Sequence, residues 1–185
     1  MSTLSITRPD ANEAASFYHG YIARVPDQDL GHHLTEQMRE VEQLFENVTD
    51  RDALARYAEG KWSIKEILGH LIDTERIFGY RLLRIGRGDA TPLSGFDETT
   101  YVPAGRFDDR PLPMLLAEFR TARLSTLALL EGMPAESWSR LGEANGTAIS
   151  ARALAYIIAG HTTHHLGVLR DRYAVGARSP EVAHR

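Results

Sequence analysis

The sequence predicts an all-α protein, a four-helix bundle with a long crossover between its second and third helices. Four stretches of the chain carry apolar residues at three- and four-residue steps, which is the spacing of one helix face. Residues 89–110, between the second and third stretches, are rich in Gly, Pro, Thr and Asp, and a connection of this length lets consecutive helices run parallel. No stretch of useful length alternates with a period of two, so no sheet is expected.

The composition is that of one ordinary domain. The chain has 185 residues, of which 43% are hydrophobic, and this share builds a continuous core without a disulfide or a partner. We therefore expect a single domain over residues 1–185, with an ordered core over about 12–173 and tails at 1–11 and 174–185. The formal net charge is −4, with both signs mixed along the chain, which disfavours nucleic acid as a partner.

The chain contains no cysteine, and this limits its chemistry. Disulfides, thiolate metal ligands and a cysteine nucleophile are excluded. A bound metal must be held by His, Asp or Glu, and sulfur chemistry must use a thiol from outside the protein. The amino-terminal segment has no apolar signal core and no apolar run is long enough to cross a bilayer, which predicts a cytoplasmic protein without a membrane partner.

The first two bundle helices have clear apolar faces and boundaries. The first is predicted over about residues 27–47, after a short helical stretch at 12–19. Its apolar face consists of Leu30, Leu34, Met38, Val41, Leu44, Phe45 and Val48. The second helix begins at Ser63, because Ser63 and Glu66 form a capping box, and it ends near Gly86.

The third and fourth helices are delimited in the same way. The third is predicted over about residues 111–131, with Pro111 in its first turn and Gly132 after its end. Its predicted core consists of Leu112, Leu115, Leu116, Phe119, Leu124, Leu127 and Leu130. A loop with the turn dipeptide Asn145-Gly146 follows, and the fourth helix runs over about residues 150–173.

The apolar face of the fourth helix changes character at its centre. The face consists of Leu154, Ile157, Ile158, His161, His165, Val168 and Leu169. Residues four apart lie one above the other, roughly 6 Å apart at the backbone, so the two imidazoles can share one metal ion. The second helix offers a third histidine, His70, on its buried side. Three imidazoles with open positions match a catalytic metal site, whereas a structural site is more often closed by four protein ligands.

The same histidines also have a plainer interpretation. A lone histidine on an apolar face is usually a packed core residue, and a pair four residues apart on a helix is often solvated. Three inward-facing imidazoles are costly to bury unless each nitrogen finds a partner, so metal ligation and core packing both stay open on the residues alone. The histidines outside the second and fourth helices are interpreted as surface residues: His19, His32, His33 and His184.

Two segments resemble the sequence motifs of the DinB/YfiT-like superfamily. Residues 60–75, GKWSIKEILGHLIDTE, are similar to the family's second-helix motif, and residues 160–166, GHTTHHL, are similar to its fourth-helix motif. Residues 21–26 and 92–98 are also similar to family members, and the likeness extends over residues 18–173. The order of these segments along the chain makes the resemblance specific.

The resemblance implies a four-helix bundle with a long crossover and a three-histidine metal centre, most often with zinc or nickel. His70 matches the family's ligand on the second helix, and His161 and His165 match the pair on the fourth. His164 matches a position that is often histidine but not usually a ligand. Many members form homodimers. Characterised members include S-transferases and isomerases that use bacillithiol, mycothiol or glutathione, others are described as metal-dependent hydrolases, and the founding name refers to DNA-damage induction.

The leading hypothesis is a divalent-metal enzyme that transfers an external low-molecular-weight thiol onto a small electrophile. The first alternative is a hydrolase that uses metal-bound hydroxide, and the second is a non-catalytic, stress-related metal-binding or interaction module. Asp73, three residues after His70, is a candidate catalytic base or imidazole-orienting residue, although a carboxylate near a helix middle is more often a surface residue. Asp97 and Tyr101, in the long loop, are candidates for substrate binding at the rim of a pocket.

Overall fold

The computed structural model describes residues 6–176, which form six α-helices and one two-stranded sheet. The helices are α1 (His19–Ile22), α2 (Leu30–Leu44), α3 (Ile64–Gly86), α4 (Glu98–Gly105), α5 (Leu112–Glu131) and α6 (Ala151–Tyr173). The strands are β1 (Leu141–Ala144) and β2 (Thr147–Ser150). Helices α2, α3, α5 and α6 correspond to the four predicted helices, so the predicted four-helix bundle is confirmed.

In the bundle, α2 lies diagonally opposite α3, and α5 lies diagonally opposite α6. α2 and α3 each pack against both α5 and α6. Lys65, near the start of α3, donates to the carbonyl oxygen of Arg110 at 2.7 Å, just before α5 begins. Gly86, at the end of α3, faces Met133, just beyond the end of α5. The two helices therefore run parallel, as the long crossover between them predicts.

The apolar core has two parts that meet along α6. The first part surrounds the first half of α6 and includes residues of α1 and of the end of α3. The second part surrounds the second half of α6 and includes residues of the first halves of α3 and α5. In α6, Ala159 belongs to the first part and Leu166 to the second. Residues 160–165, which contain the predicted histidine pair, lie between the two parts.

The prediction of no sheet is wrong. β1 and β2 form an antiparallel hairpin directly before α6, with Leu141 opposite Ser150. Asn145 and Gly146 at its turn have φ angles of 54° and 71°, the left-handed conformation that an Asn-Gly hairpin turn requires. Each strand has only 4 residues, too few to show a period of two, so the turn dipeptide alone marks the hairpin in the sequence.

The connection between α3 and α5 is more structured than the predicted loop. It contains α4 and a single 3-10 turn at Phe107–Asp109. Leu93 forms a bridge to Ala144 of β1, which ties the first part of the connection to the hairpin. α4 has 8 residues and includes Pro103, a residue that usually interrupts a helix, and this explains why its sequence does not indicate one.

The amino-terminal segment packs against the bundle instead of forming a loose tail throughout. Arg8 donates to the carbonyl oxygens of Ile22 and Val25 at 2.8 and 2.6 Å. Tyr156 of α6 donates to the carbonyl oxygen of Ile6 at 3.2 Å. Residues 6–11 therefore belong to the ordered part of the protein, which begins before residue 12.

The predicted helical stretch over residues 12–19 consists of 3-10 turns followed by α1, so it is an α-helix only from its last residue on. The outer parts of the predicted tails, residues 1–5 and 177–185 with His184, lie outside the described residues. Within residues 6–176, no helix combines the length and the apolar character that a membrane span requires.

Candidate metal centre

Three histidine side chains converge between α3 and α6. Nε2 of His161 lies 3.1 Å from Nε2 of His70 and 3.1 Å from Nε2 of His165. All three side chains are buried, with exposed fractions of 7% for His70, 6% for His161 and 9% for His165. The structure thus brings together the three histidines that the sequence predicts to meet. No other His, Asp or Glu within residues 6–176 joins this histidine cluster.

The distances from Nε2 of His161 to the other two Nε2 atoms fit ligation of a single divalent ion, and all three donors lie within 4.8 Å of one another. Two imidazole nitrogens bound to one ion at roughly 2.0–2.1 Å are roughly 2.9–3.4 Å apart, depending on the bond angle. The observed separations of 3.1 Å fall within this interval. A ring nitrogen carries either one hydrogen or one lone pair, whereas Nε2 of His161 faces two rings at once. Three lone pairs directed at one cation remove this conflict.

Burial keeps the imidazoles of the cluster neutral. Desolvation lowers the pKa of His70 to about 4 and the pKa of His165 to about 3. Desolvation also holds the pKa of His161 well below its ordinary value, with a further contribution from the neighbouring imidazoles. A metal ion binds the neutral imidazole, so the three side chains have the protonation state that ligation requires near neutral pH.

One ring nitrogen departs from the usual environment of a metal ligand. The second nitrogen of a ligating histidine ordinarily donates to a carboxylate, a carbonyl or water, which fixes the ring orientation. Nδ1 of His165 is buried and has no hydrogen-bond partner among the described residues. Packing and the contact of Nε2 with His161 therefore orient this ring.

Local signals at the helix starts set the register of the ligand-bearing helices. The hydroxyl of Ser63 accepts from the N–H of Glu66 at 3.0 Å, and the Glu66 carboxylate accepts from the N–H of Ser63 at 2.8 Å. Ser150 caps α6 by accepting from the N–H of Ala153 at 3.0 Å. Each helix has 23 residues, so the start fixed by the cap also fixes which residues face the interior of the bundle at the level of the histidines.

Aromatic side chains surround the histidine cluster. The ring centroid of Trp62 lies 4.8 Å from that of His70, and the ring centroid of Tyr21 lies 5.3 Å from that of His161. Phe78 lies further away, with its centroid 6.3 Å from that of His161. These rings exclude water from the imidazoles, which accounts for the desolvation that dominates their pKa values.

Tyr21 reaches the cluster because α1 approaches α6 closely at Gly160. A Cβ atom added at Gly160 would lie 1.9 Å from the carbonyl oxygen of Tyr21, a distance that no real side chain tolerates. Only glycine allows this approach of one backbone to another. The glycine directly before His161 therefore determines where α1 crosses the ligand pair.

A buried ion pair connects the four bundle helices next to the cluster. Arg123 of α5 is completely buried and makes a bidentate pair with Glu75 of α3, with N···O distances of 2.8 and 2.9 Å. The guanidinium also donates to the hydroxyl of Thr162 at 2.9 Å and to the side-chain oxygen of Gln37 at 3.1 Å. Gln37 donates to the hydroxyl of Thr163 at 2.7 Å. Because Thr162 and Thr163 stand between the two α6 histidines, this network holds the helix in register.

A cleft of about 300 Å³ opens beside His165. Its walls are mostly aromatic and aliphatic, and they consist of Tyr57, Gly60, Lys61, Trp62, Ile67, Val168 and Tyr173. The Tyr173 hydroxyl donates to the carbonyl oxygen of Trp62 at 2.5 Å, which fixes one wall. The size is at the lower end of the range for small-molecule sites, so a compact ligand can reach the histidine cluster from this side.

Asp73 lies on α3 but outside the histidine cluster. It is half-buried, and desolvation raises the pKa of its carboxyl group. Its charged neighbours are Arg76, Glu118 and Arg110, of which the last two belong to α5 and the residues before it. No hydrogen bond joins Asp73 to a histidine among the described residues, so its catalytic role stays a prediction.

The two predicted substrate-binding residues belong to the crossover. The carboxylate of Asp97 caps α4 by accepting from the N–H of Thr99 at 2.9 Å. Tyr101 is 46% exposed and lines a second cleft, which does not include a histidine. His164 lies beside the cluster with its ring centroid 5.6 Å from that of Tyr21, and it is not one of the three converging side chains. Substrate binding by Asp97 and Tyr101 stays a prediction.

The histidines interpreted as surface residues lie away from the centre. His32 is exposed, whereas His19 and His33 are partly buried, so the surface interpretation is too simple for these two. His19 donates through Nε2 to the carbonyl oxygens of Ala11 and Ala14, and so it holds the turns before α1.

The buried ion pair and the aromatic enclosure were not predicted from the sequence. The sequence does contain a signal for the pair. Glu75 is four residues after the buried Leu71, and Arg123 is four residues after the buried Phe119, so each charged residue lies on the buried face of its helix. Leu124 was expected in the core and is instead 47% exposed, because the face of α5 turns so that Arg123 points inward.

Two comparisons with known proteins agree with this fold. The chain matches the sequence model of the DinB superfamily over residues 33–169, a range that includes all three clustered histidines. A solved structure, YfiT from Bacillus subtilis, is described as a probable metal-dependent hydrolase with an unusual four-helix bundle topology. It superposes with a TM-score of 0.73 over 96% of this chain and 100% of that chain, at 16% sequence identity, which establishes a shared fold.

Comparison with curated protein sequences gives no significant match. The family model nevertheless covers well over half of the chain, from the first turn of α2 to the last turns of α6. The chain therefore belongs to the DinB superfamily.

Proposed function

We propose that this protein is a metal-dependent enzyme that acts on a small molecule, with a divalent transition metal held by His70, His161 and His165. The observation that carries the proposal is the convergence of three buried, neutral Nε2 atoms beside a cleft. Zinc and nickel are the first candidates, since imidazole ligands suit both. A bound divalent ion supplies Lewis acidity, which lowers the pKa of a water molecule or thiol.

The number of protein ligands favours catalysis over metal storage. A storage or structural centre is usually closed by four protein ligands, whereas this cluster offers three within the described residues. The cleft beside His165 gives a small molecule access to the same point. Both features speak against the alternative of a non-catalytic metal-binding or interaction module.

Transfer of an external thiol onto a small electrophile is the reaction that we favour. The histidine cluster includes no carboxylate among the described residues, and Asp73 makes no hydrogen bond to it, so no base is joined to the cluster to take a proton from water. A thiol needs less assistance, because its ordinary pKa is about 8.5. The aromatic walls of the cleft suit an organic electrophile, and the chain has no cysteine that would compete with the external thiol.

Metal-dependent hydrolysis is the second candidate, and the description of YfiT favours it. In this reaction Asp73 is the candidate base, and its raised pKa supports a role in proton transfer. The variant Asp73→Asn separates this role from a structural one. A base predicts that turnover falls by about 100-fold or more at unchanged metal content, whereas unchanged turnover removes Asp73 from the mechanism.

The experiment that tests the proposal compares both activities in one set of proteins. Tag-free protein is loaded with zinc or nickel and assayed for conjugation of a thiol to monochlorobimane and for hydrolysis of an activated ester. We expect the double variant His161→Ala/His165→Ala to lose metal and activity, while His32→Ala, an exposed-histidine control, keeps both. Equal rates in wild type and double variant would contradict both catalytic candidates.

We also propose that the protein is a homodimer that does not bind nucleic acid, as the family resemblance and the acidic balance suggest. Sedimentation velocity tests the first part, and a single species at the mass of one chain across micromolar concentrations would contradict it. A gel-shift assay at low salt tests the second part, and a retarded DNA or RNA band would contradict it.

A further inference from the structure

A second cleft lies between the second half of α3 and the crossover. Its volume is about 370 Å³, and no residue of the histidine cluster lines it. The residues that matter here are Tyr80, Arg81 and Arg84 from α3, Phe96 from the crossover and Tyr101 from α4. The cleft is therefore a separate concave feature with both cationic and aromatic walls.

Arg81 is the unusual member of this lining, because it is only 2% exposed and has no carboxylate partner within the described residues. Its polar contacts are with neutral groups: Nη2 donates to the carbonyl oxygen of Ser94 at 2.7 Å, and the guanidinium also contacts the hydroxyl of Tyr18. Arg123, which is equally buried, makes a bidentate pair with Glu75. Burial of a guanidinium without a counterion is energetically unfavourable. A negatively charged ligand next to Arg81 would remove this cost.

The other cation of the cleft is already neutralised. Arg84 pairs with Asp89 and also contacts the hydroxyl of Tyr80. The guanidinium of Arg81 instead lies over aromatic rings, 5.6 Å from the centroid of Phe78 and 5.8 Å from that of Phe96. These contacts hold the side chain in place and leave its charge uncompensated.

We propose that this cleft binds a small organic anion with an aromatic body, an aryl carboxylate being the best fit, through the guanidinium of Arg81. The planar fork of arginine matches a carboxylate in a bidentate manner. The rings of Phe96 and Tyr101, with centroids 5.5 Å apart, provide an aromatic wall for the body of the ligand. The volume accommodates a compact molecule of one or two rings.

The anion site does not depend on the proposed metal chemistry. No histidine of the cluster lines this cleft, and the ring of Phe78 contacts both sites, at 5.6 Å from the guanidinium of Arg81 and 6.3 Å from the ring of His161. Binding of the anion can therefore be measured in protein without metal, and His161→Ala should bind it as the wild type does.

Isothermal titration calorimetry and amide NMR spectra with 1-naphthoate test the proposal. We expect saturable binding, with chemical-shift changes concentrated at residues 77–84 and 91–101. 1-Naphthamide, a neutral molecule of similar shape, should bind at least about tenfold more weakly, because it cannot form the charge-assisted pair. 1-Naphthyl phosphate distinguishes the type of anion, and tighter binding of the phosphate would overturn the choice of a carboxylate.

Variants link the binding to the residue. Arg81→Gln should weaken naphthoate binding by about tenfold or more, whereas Arg120→Gln, an exposed arginine on α5, should leave it unchanged. If Arg81→Gln does not fold, Tyr101→Ala replaces an exposed ring of the cleft and should also weaken binding. Absent binding to wild type, equal binding of naphthoate and naphthamide, or shift changes outside the cleft would each overturn the proposal.

Discussion

Replacement of Gly160 by alanine should destabilise the protein and move α1 away from the histidine cluster. The added Cβ would lie 1.9 Å from the carbonyl oxygen and 2.4 Å from the carbonyl carbon of Tyr21. Both are backbone atoms, so relief requires a shift of the chain and not a side-chain rotation. Overpacking costs about 1–3 kcal/mol, and alanine offsets about 1 kcal/mol of this through helix propensity. Because the clash is severe, we take the upper end of this range and expect the free energy of unfolding to fall by about 2 kcal/mol.

Gly167 provides a matched control in the same helix. A Cβ atom added there meets nothing within 4 Å, so Gly167→Ala should stabilise the protein by up to about 1 kcal/mol. Urea unfolding followed by circular dichroism measures both variants, with the m-value checking that the unfolding transition is unchanged. Equal stability of Gly160→Ala and wild type, or a change of the same sign in the two variants, would refute the argument from the Tyr21 contact.

Two further predictions concern buried charge and pH. Glu75→Gln leaves the Arg123 guanidinium buried without its counterion and should cost about 3–5 kcal/mol in urea unfolding, and a loss below about 1 kcal/mol would contradict this. Metal-free protein should lose stability as the pH falls from about 6.5 towards 4, since the unfolded state then binds protons that His70 and His165, with pKa values of about 4 and about 3, do not. Chemical unfolding from pH 5 to 7.5 measures this slope, and a flat profile would count against neutral, desolvated imidazoles.

The main helices and the histidine cluster are predictable because their signals are local. The capping box of Ser63 and Glu66 marks the start of α3 within four residues, and the spacing of His161 and His165 alone places both rings on one side of α6. His70 requires one more assumption, that the buried sides of α3 and α6 face each other, and the apolar faces supply it.

The remaining features depend on contacts between distant parts of the chain. The Glu75–Arg123 pair joins residues 48 positions apart, and the charge of each residue alone suggests a solvated or surface-paired side chain. The hairpin is held by pairing along short strands, and α4 is held although it includes Pro103, so neither shows a periodic pattern. The role of Gly160 is likewise visible only once α1 lies against α6.

The central claim is that three imidazoles hold one divalent metal with positions left open for a substrate. Elemental analysis and X-ray absorption spectroscopy of tag-free protein test it most directly, with His70→Ala as the comparison. We predict one transition-metal ion per chain, three imidazole ligands and at least one further ligand that is not from the protein, with the ion lost in the variant. Protein that binds no stoichiometric metal after reconstitution, or that binds it equally without His70, would contradict the account.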